Sequence, residues 1–166
     1  MNIILCPGSA ENQKFKRWDS NKFLNLANRF IIKNYSVSIL LGPEEVHLSN
    51  IFKDVDLILS PTFAQIKSIA EKSDLIICND SFLLHFFCFC ETKVLALYGP
   101  TNPNRTLPQS AFKISSKTPS KTKPCWGSKD YGNCDNGRCS CFDGLEAEDV
   151  FIKSQKILKN NILKSQ

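Results

Sequence analysis

The chain has 166 residues, 42% of them hydrophobic and 22% charged, with a formal net charge of +5. That size and balance fit one globular domain with a real core and exclude a disordered or fibrous chain. No apolar run reaches the roughly 18 residues of a membrane span, and the opening MNIILCPGSAEN lacks the basic leader of a secretory signal, so the cytosol is the expected compartment.

Residues 2–6 are an apolar run stopped by Pro7-Gly8, which predicts a strand ended by a turn. Asp19 or Ser20 can cap a helix whose stripe is Phe23, Leu26, Ala27, Phe30 and Ile31, the spacing of one helical face. A second strand is predicted over 36–41, a short helix over 44–52 and a short strand over 56–59. Phe63, Ile66, Ile69 and Ala70 mark a helix ending near Lys72, and residues 75–78 a further strand. Residues 82–90 are apolar almost throughout, and a helix is expected there because strands flank the run. A strand over 93–98 ends at Gly99-Pro100, and a weaker one covers 111–114. Ala147, Val150, Phe151, Ile157 and Leu158 place a C-terminal helix within 146–162, after a cysteine-rich loop over 117–144. Strands alternating with helices predict an α/β, Rossmann-like parallel sheet covered on both faces, in a single domain over 1–166.

Ligands of such sheets bind beyond the carboxyl ends of the strands. Four loops begin there, at Pro7, Gly42, Asn79 and Gly99. The first has small residues and then Lys14, Lys16 and Arg17 before a helix, which suits either a phosphate or a solvated basic turn. The second offers Glu44 and Glu45, for a ribose diol or merely for a helix's first turn. In the third, Asp80 or Ser81 can cap the next helix, leaving His85 as a core group or a site residue. The fourth, YGPTNPNRTLP, has three prolines and is expected to be rigid and extended.

Lysines are dense in 113–123 and again at Lys153, Lys156, Lys159 and Lys164. No nucleic-acid motif accompanies them, so no nucleic-acid partner is expected; a phosphorylated ligand or peripheral contact with an anionic membrane suits such a surface. Of eight cysteines, Cys6, Cys78, Cys88 and Cys90 lie in apolar segments and read as core residues. Cys125, Cys134, Cys139 and Cys141 form a cluster open to three readings: a structural zinc, free thiols or disulfides.

Taken in order, Pro7-Gly8-Ser9, Lys16-Arg17-Trp18, Gly42-Pro43-Glu44-Glu45, Asn79-Asp80-Ser81 with His85, and Tyr98-Gly99-Pro100-Thr101-Asn102-Pro103 with Arg105-Thr106 resemble glycosyltransferase family 9, the ADP-heptose:lipopolysaccharide heptosyltransferases and their relatives. The resemblance runs from about residue 2 to 159 and covers only the C-terminal, nucleotide-sugar-binding half of a two-domain GT-B enzyme. It implies inverting, metal-independent glycosyl transfer onto lipopolysaccharide core or a related surface glycan, with the acceptor and general base supplied by another domain or partner chain. It implies that Ser9 and Lys16 contact the donor diphosphate, Glu44 or Glu45 the ribose, and Asp80 and Ser81 the phosphate–sugar portion. His85 would support that loop, and Gly99 and Thr101 would shape the rim. The chain departs from the family at Cys6, where a histidine is usual, and at Phe82, Leu83, Phe86, Phe87 and Cys88, where small residues are usual. The alternative is a non-catalytic relative that binds a nucleotide sugar or a protein partner.

Overall fold

A computed structural model describes residues 1–117, 124–131 and 140–160. Six strands, β1 (Asn2–Cys6), β2 (Ser36–Leu41), β3 (Asp56–Leu59), β4 (Leu75–Asn79), β5 (Val94–Tyr98) and β6 (Phe112–Ser115), form one parallel sheet in the order β3-β2-β1-β4-β5-β6. The helices are α1 (Ser20–Ile32), α2 (Phe63–Glu71), α3 (Phe82–Phe89), α4 (Pro103–Thr106) and α5 (Ala147–Lys159).

The two cores follow from the alternation of side chains along each strand. Ile3, Leu5, Leu75, Ile77, Leu95 and Leu97 face one way, onto Phe23, Leu26, Ala27 and Phe30 of α1 and Val150, Ile157 and Leu158 of α5. Ile4, Cys6, Ile76, Cys78, Val94, Ala96 and Tyr98 face the other, onto Ile66 and Ala70 of α2 and Leu84 and Phe87 of α3. Burial on both faces explains why the central strands read as unbroken apolar runs. The four cysteines in apolar segments behave as expected for Cys6 and Cys78, which are buried with thiols pushed well up by desolvation; Cys88 and Cys90 are half-buried.

Chain order reverses between β1 and β4: β1, β2 and β3 run to one edge, β4, β5 and β6 to the other. This is the topological switch point, where the loops leaving two adjacent strands separate and open a crevice.

Three segments differ from expectation. Residues 103–106, expected to be extended, form the single turn α4, because the Asn102 side chain accepts from the Asn104 N–H at 3.0 Å and Pro103 occupies the first helical position, where its fixed φ is already suitable. The first loop coils into a 3₁₀ segment, Glu11–Lys16, and the short helix expected at 44–52 is also 3₁₀, Pro43–Phe52.

The loop after β5 is packed from behind by Phe142. A Cβ on Gly99 would stand 2.5 Å from Phe142 Cε2 and 2.6 Å from Cζ. Gly99→Ala should therefore lower stability by about 1–3 kcal/mol through overpacking, read as a lower urea midpoint at unchanged slope; an unchanged midpoint would mean that the Phe142 ring is free to move aside.

Candidate functional site

The site is assembled at the β1–β4 crevice by a chain of buried polar contacts. Asn79, wholly buried at the end of β4, accepts from the Trp18 N–H at 3.0 Å and donates to the carbonyls of Pro7 (2.7 Å) and Gly8 (3.3 Å). It ties the loop after β1 to β4 at two points. Trp18 continues the brace, its indole N–H donating to the Leu145 carbonyl at 3.1 Å. α1 then starts from Asp19, whose carboxylate accepts from the N–H groups of Asn21 and Lys22.

Across this brace Lys16 Nζ stands 3.1 Å from Asp80 Oδ2, with side-chain exposures of 8% and 4%. Asp80 Oδ2 has no hydrogen-bond donor among the described residues, so the contact is ionic and off-line. The Lys16 ammonium also lies 4.4 Å from the centroid of the Trp126 ring, a cation–π distance. Trp126 is carried there because the N–H groups of Cys125 and Trp126 both donate to the Pro100 carbonyl, at 2.9 and 3.1 Å. The solvated-turn reading of the first loop thus fails for Lys16, while Lys14 is exposed and pairs with Glu11.

Glu45 is a second brace. Its carboxylate is buried, accepts from the backbone of Ser9 and Gly42, and lies 3.3 Å from Arg17 Nη2. It fills the space that a Cβ on Gly8 would occupy, at 2.6 Å, so glycine at position 8 leaves room for it. Arg17 reaches the Ser9 carbonyl and Ser9 Oγ as well, and Ser9 Oγ donates to the Gln13 carbonyl. Ser9, Arg17 and Glu45 therefore spend their polar groups on shaping the loops. Glu44 is exposed and accepts from the Glu11 N–H at 3.1 Å, which makes it the carboxylate of that loop facing solvent.

Ser81 occupies the N-cap position of α3 but its side chain makes no capping bond, so the first-turn N–H groups beside Asp80 stay open to an anion. Thr101 is buried at the end of β5. His85 stands apart. It is exposed on α3 and makes no hydrogen bond among the described residues, because Leu84 and Phe87 take the face that packs on the sheet. Phe82 neither enters the core nor packs on Lys16; its ring is 62% exposed and leans on Phe63 and Phe86. Of the four clustered cysteines, Cys134 and Cys139 lie outside the described residues, Cys125 and Cys141 are buried, and no group of three metal-ligating side chains occurs among the described residues.

Residues 1–134 match the model of glycosyltransferase family 9 (heptosyltransferase). The chain belongs to that family. It is 26% identical over 161 residues to lipooligosaccharide heptosyltransferase 2 of Campylobacter jejuni, with 89% of this chain and 48% of that one covered. Its fold superposes on E. coli ADP-heptose lipopolysaccharide heptosyltransferase II with a TM-score of 0.76 at 20% identity, over 96% of this chain and 47% of that one. An E. coli heptosyltransferase solved with ADP-2-deoxy-2-fluoro heptose gives 0.66 at 14% identity, over 93% and 43%. The chain thus spans about half the length of the family 9 relatives it matches, and the six-stranded parallel sheet with flanking helices is the fold they share over that half.

Asn79, Arg17 and Trp126 were absent from the sequence-derived site, although Asn79 and Arg17 stood inside its motifs. An amide directly after a buried strand and before an acidic residue was the available signal for Asn79. Asn79→Ala should cost about 3 kcal/mol, since it orphans a buried donor and two buried carbonyls; Asn79→Asp should fail to rescue it, because a carboxylate cannot donate to Pro7. Denaturant unfolding of both variants decides, and a rescue by aspartate would assign the role to the Trp18 contact alone.

Burial lifts the Glu45 carboxyl above the ordinary glutamate value, with Arg17 opposing. A folded pKa above the unfolded one means that this stabilisation is full at acid pH and is lost as pH rises through the folded value. The stability of the wild type relative to Glu45→Gln should therefore fall between about pH 4 and neutrality. A difference that grows over that range would show that the Arg17 pair dominates instead.

Proposed function

We propose that residues 1–166 form a single donor-binding domain, the C-terminal half of a GT-B heptosyltransferase-like enzyme. It would take a nucleoside diphosphate sugar of the ADP-heptose type at the β1–β4 crevice. The observation that carries this reading is the buried Lys16–Asp80 contact across the switch point. A lysine beside an uncapped helix N-terminus concentrates positive potential where a diphosphate would lie. During transfer the bond from the sugar to the diphosphate breaks and the electron pair leaves with the diphosphate. Lys16 and the α3 N–H groups would stabilise that growing charge, the work a metal ion performs in other enzymes. Inversion at the sugar follows from the family resemblance, with the acceptor and its general base in another domain or chain. Glu44, exposed at the neighbouring loop, would accept from the ribose.

Lipopolysaccharide core or a related surface glycan is the acceptor class that the family suggests, with transfer in the cytoplasm at the inner face of a membrane. No helix among the described residues is long and apolar enough to cross one. The two lysine-dense stretches supply Lys113, Lys117, Lys153 and Lys156 to a second cleft, of about 370 Å³, between β6 and α5, a surface suited to anionic lipid. Co-sedimentation with anionic vesicles, lost with neutral ones, is the expected behaviour; equal recovery with both would remove the membrane reading.

Calorimetric titration tests the donor site. ADP should bind the wild type, and UDP and GDP report the preference for the base. Lys16→Gln should weaken ADP more than about tenfold, the loss of one charge-assisted phosphate contact. Asp80→Asn should keep ADP binding, since it removes a negative charge from beside the phosphate, while lowering stability by leaving a buried lysine without its partner. A wild type indifferent to all three nucleotides would overturn the reading.

A further inference from the structure

α3 reads FLLHFFCF and holds no Asp, Glu, Lys or Arg. Leu84 and Phe87 pack on the sheet, while Phe82, His85, Phe86 and Phe89 fall at i, i+3, i+4 and i+7, a stripe along the outer side. Phe82 and Phe89 are 62% and 86% exposed. Phe63 of α2, 63% exposed, widens the stripe through ring contacts at 5.9 Å with both Phe82 and Phe86. These three exposed rings leave about 400 Å² of apolar surface open to water, taking roughly 200 Å² for a whole phenylalanine. Exposed patches of that size on a soluble protein are often functional. A helix that is apolar on every side is one that is covered on every side, and among the described residues the outer side of α3 has no cover beyond Phe63.

What covers the stripe follows from its position and charge. It runs about 10 Å along α3, from Phe82 at the crevice rim to Phe89 at the far end, so a domain facing the crevice would reach only Phe82 and Phe63. The lysine-lined cleft lies at β6 and α5, and α5 covers the sheet face opposite to α3, so a membrane held by those lysines would not meet the stripe. In a chain of net charge +5 the stripe is uncharged: His85 is its one polar group, and Lys67 and Glu71 on α2 pair with each other. Two copies can bring this face together without opposing their charge. Each patch then supplies about half of the roughly 800 Å² that one partner of a standard interface buries. We propose that the stripe is the seam of a two-fold dimer of this chain, with α3 of one copy antiparallel to α3 of the other. The symmetry axis passes between His85 and Phe86, the midpoint of the stripe, and sets Phe82 of each copy against Phe89 of the other. The two crevices open in opposite directions and both stay accessible, so the dimer does not depend on the donor-site reading.

Analytical ultracentrifugation of the full chain tests the seam, with thermal melts to confirm folding. The wild type should sediment as a dimer at micromolar concentration. Phe82→Lys and Phe89→Glu should each be folded and monomeric; both positions are exposed, and each substitution enters the interface twice, so the dimer dissociation constant should rise at least about a hundredfold. Ile32→Glu, at a position 76% exposed on α1 across the sheet, should leave the dimer intact. An equimolar mixture of Phe82→Lys and Phe89→Glu should dimerise again, because the mixed pair sets the two introduced charges against each other at one end and two phenylalanines at the other. A wild type that is monomeric at every concentration overturns the seam, and so does a dimer that survives both phenylalanine variants. A mixture that stays monomeric overturns the antiparallel pairing. A monomeric wild type whose recovery with vesicles is lost in Phe89→Glu would give the stripe to lipid instead. ADP binding by Phe89→Glu should match the wild type, so failure of the dimer and failure of the donor site are read separately.

Discussion

A lysine and an aspartate buried against each other are costly unless the backbone around them is fixed. Taking each ion out of water costs several kcal/mol, and their attraction offsets this only when the geometry is held. The Lys16–Asp80 pair spans two loops that leave adjacent strands in opposite directions, so nothing in the sheet itself holds it. What holds it is the surrounding braces. Asn79 pins the first loop to β4, Trp18 pins α1 to the segment before α5, and Glu45 pins the first loop to the second. Remove the ion pair's supports and it becomes two uncompensated charges; the site and the local fold are one construction.

This arrangement gives several polar residues of the motifs partners within the protein. Ser9, Arg17 and Glu45 are joined in one network. Outside that network stand Lys16 with its partner Asp80, the first turn of α3, which the Ser81 side chain does not cap, the exposed Glu44 and Arg105, and the buried Thr101.

The sheet was legible because burial on both faces leaves its strands apolar without interruption, and strand ends carried Pro-Gly, Gly-Pro or Asn-Asp. The α1 and α5 stripes were legible for the same reason, since helical spacing is a local property. The loops were legible only as places. That Lys16 would fold inward rather than into solvent depends on Asp80, 64 positions away, and no local pattern records it. Residues 103–106 misled because three prolines suggest extension, whereas one of them sits where a helix begins. His85 could be read as a core group or as a site residue; a one-layer cover on a sheet has an outer face, and His85 lies on it, which rules out the core reading.

Phe82 illustrates how a departure from a family pattern can be absorbed. A glycine after the Asp-Ser pair would leave the α3 N-terminus bare, and a phenylalanine there must put its ring somewhere. The ring turns to the α2 side, where Phe63 and Phe86 receive it at centroid distances of 5.9 and 6.0 Å. The first-turn N–H groups of α3 remain uncapped by Ser81 all the same. The substitution therefore changes what the rim offers to a neighbour, an aromatic cluster in place of bare backbone, while Lys16 and Asp80 keep their contact. Charge at the centre of the crevice and hydrophobicity at its edge are set by different residues and can vary independently. A family can in this way preserve the handling of one part of a ligand and alter the surface around it.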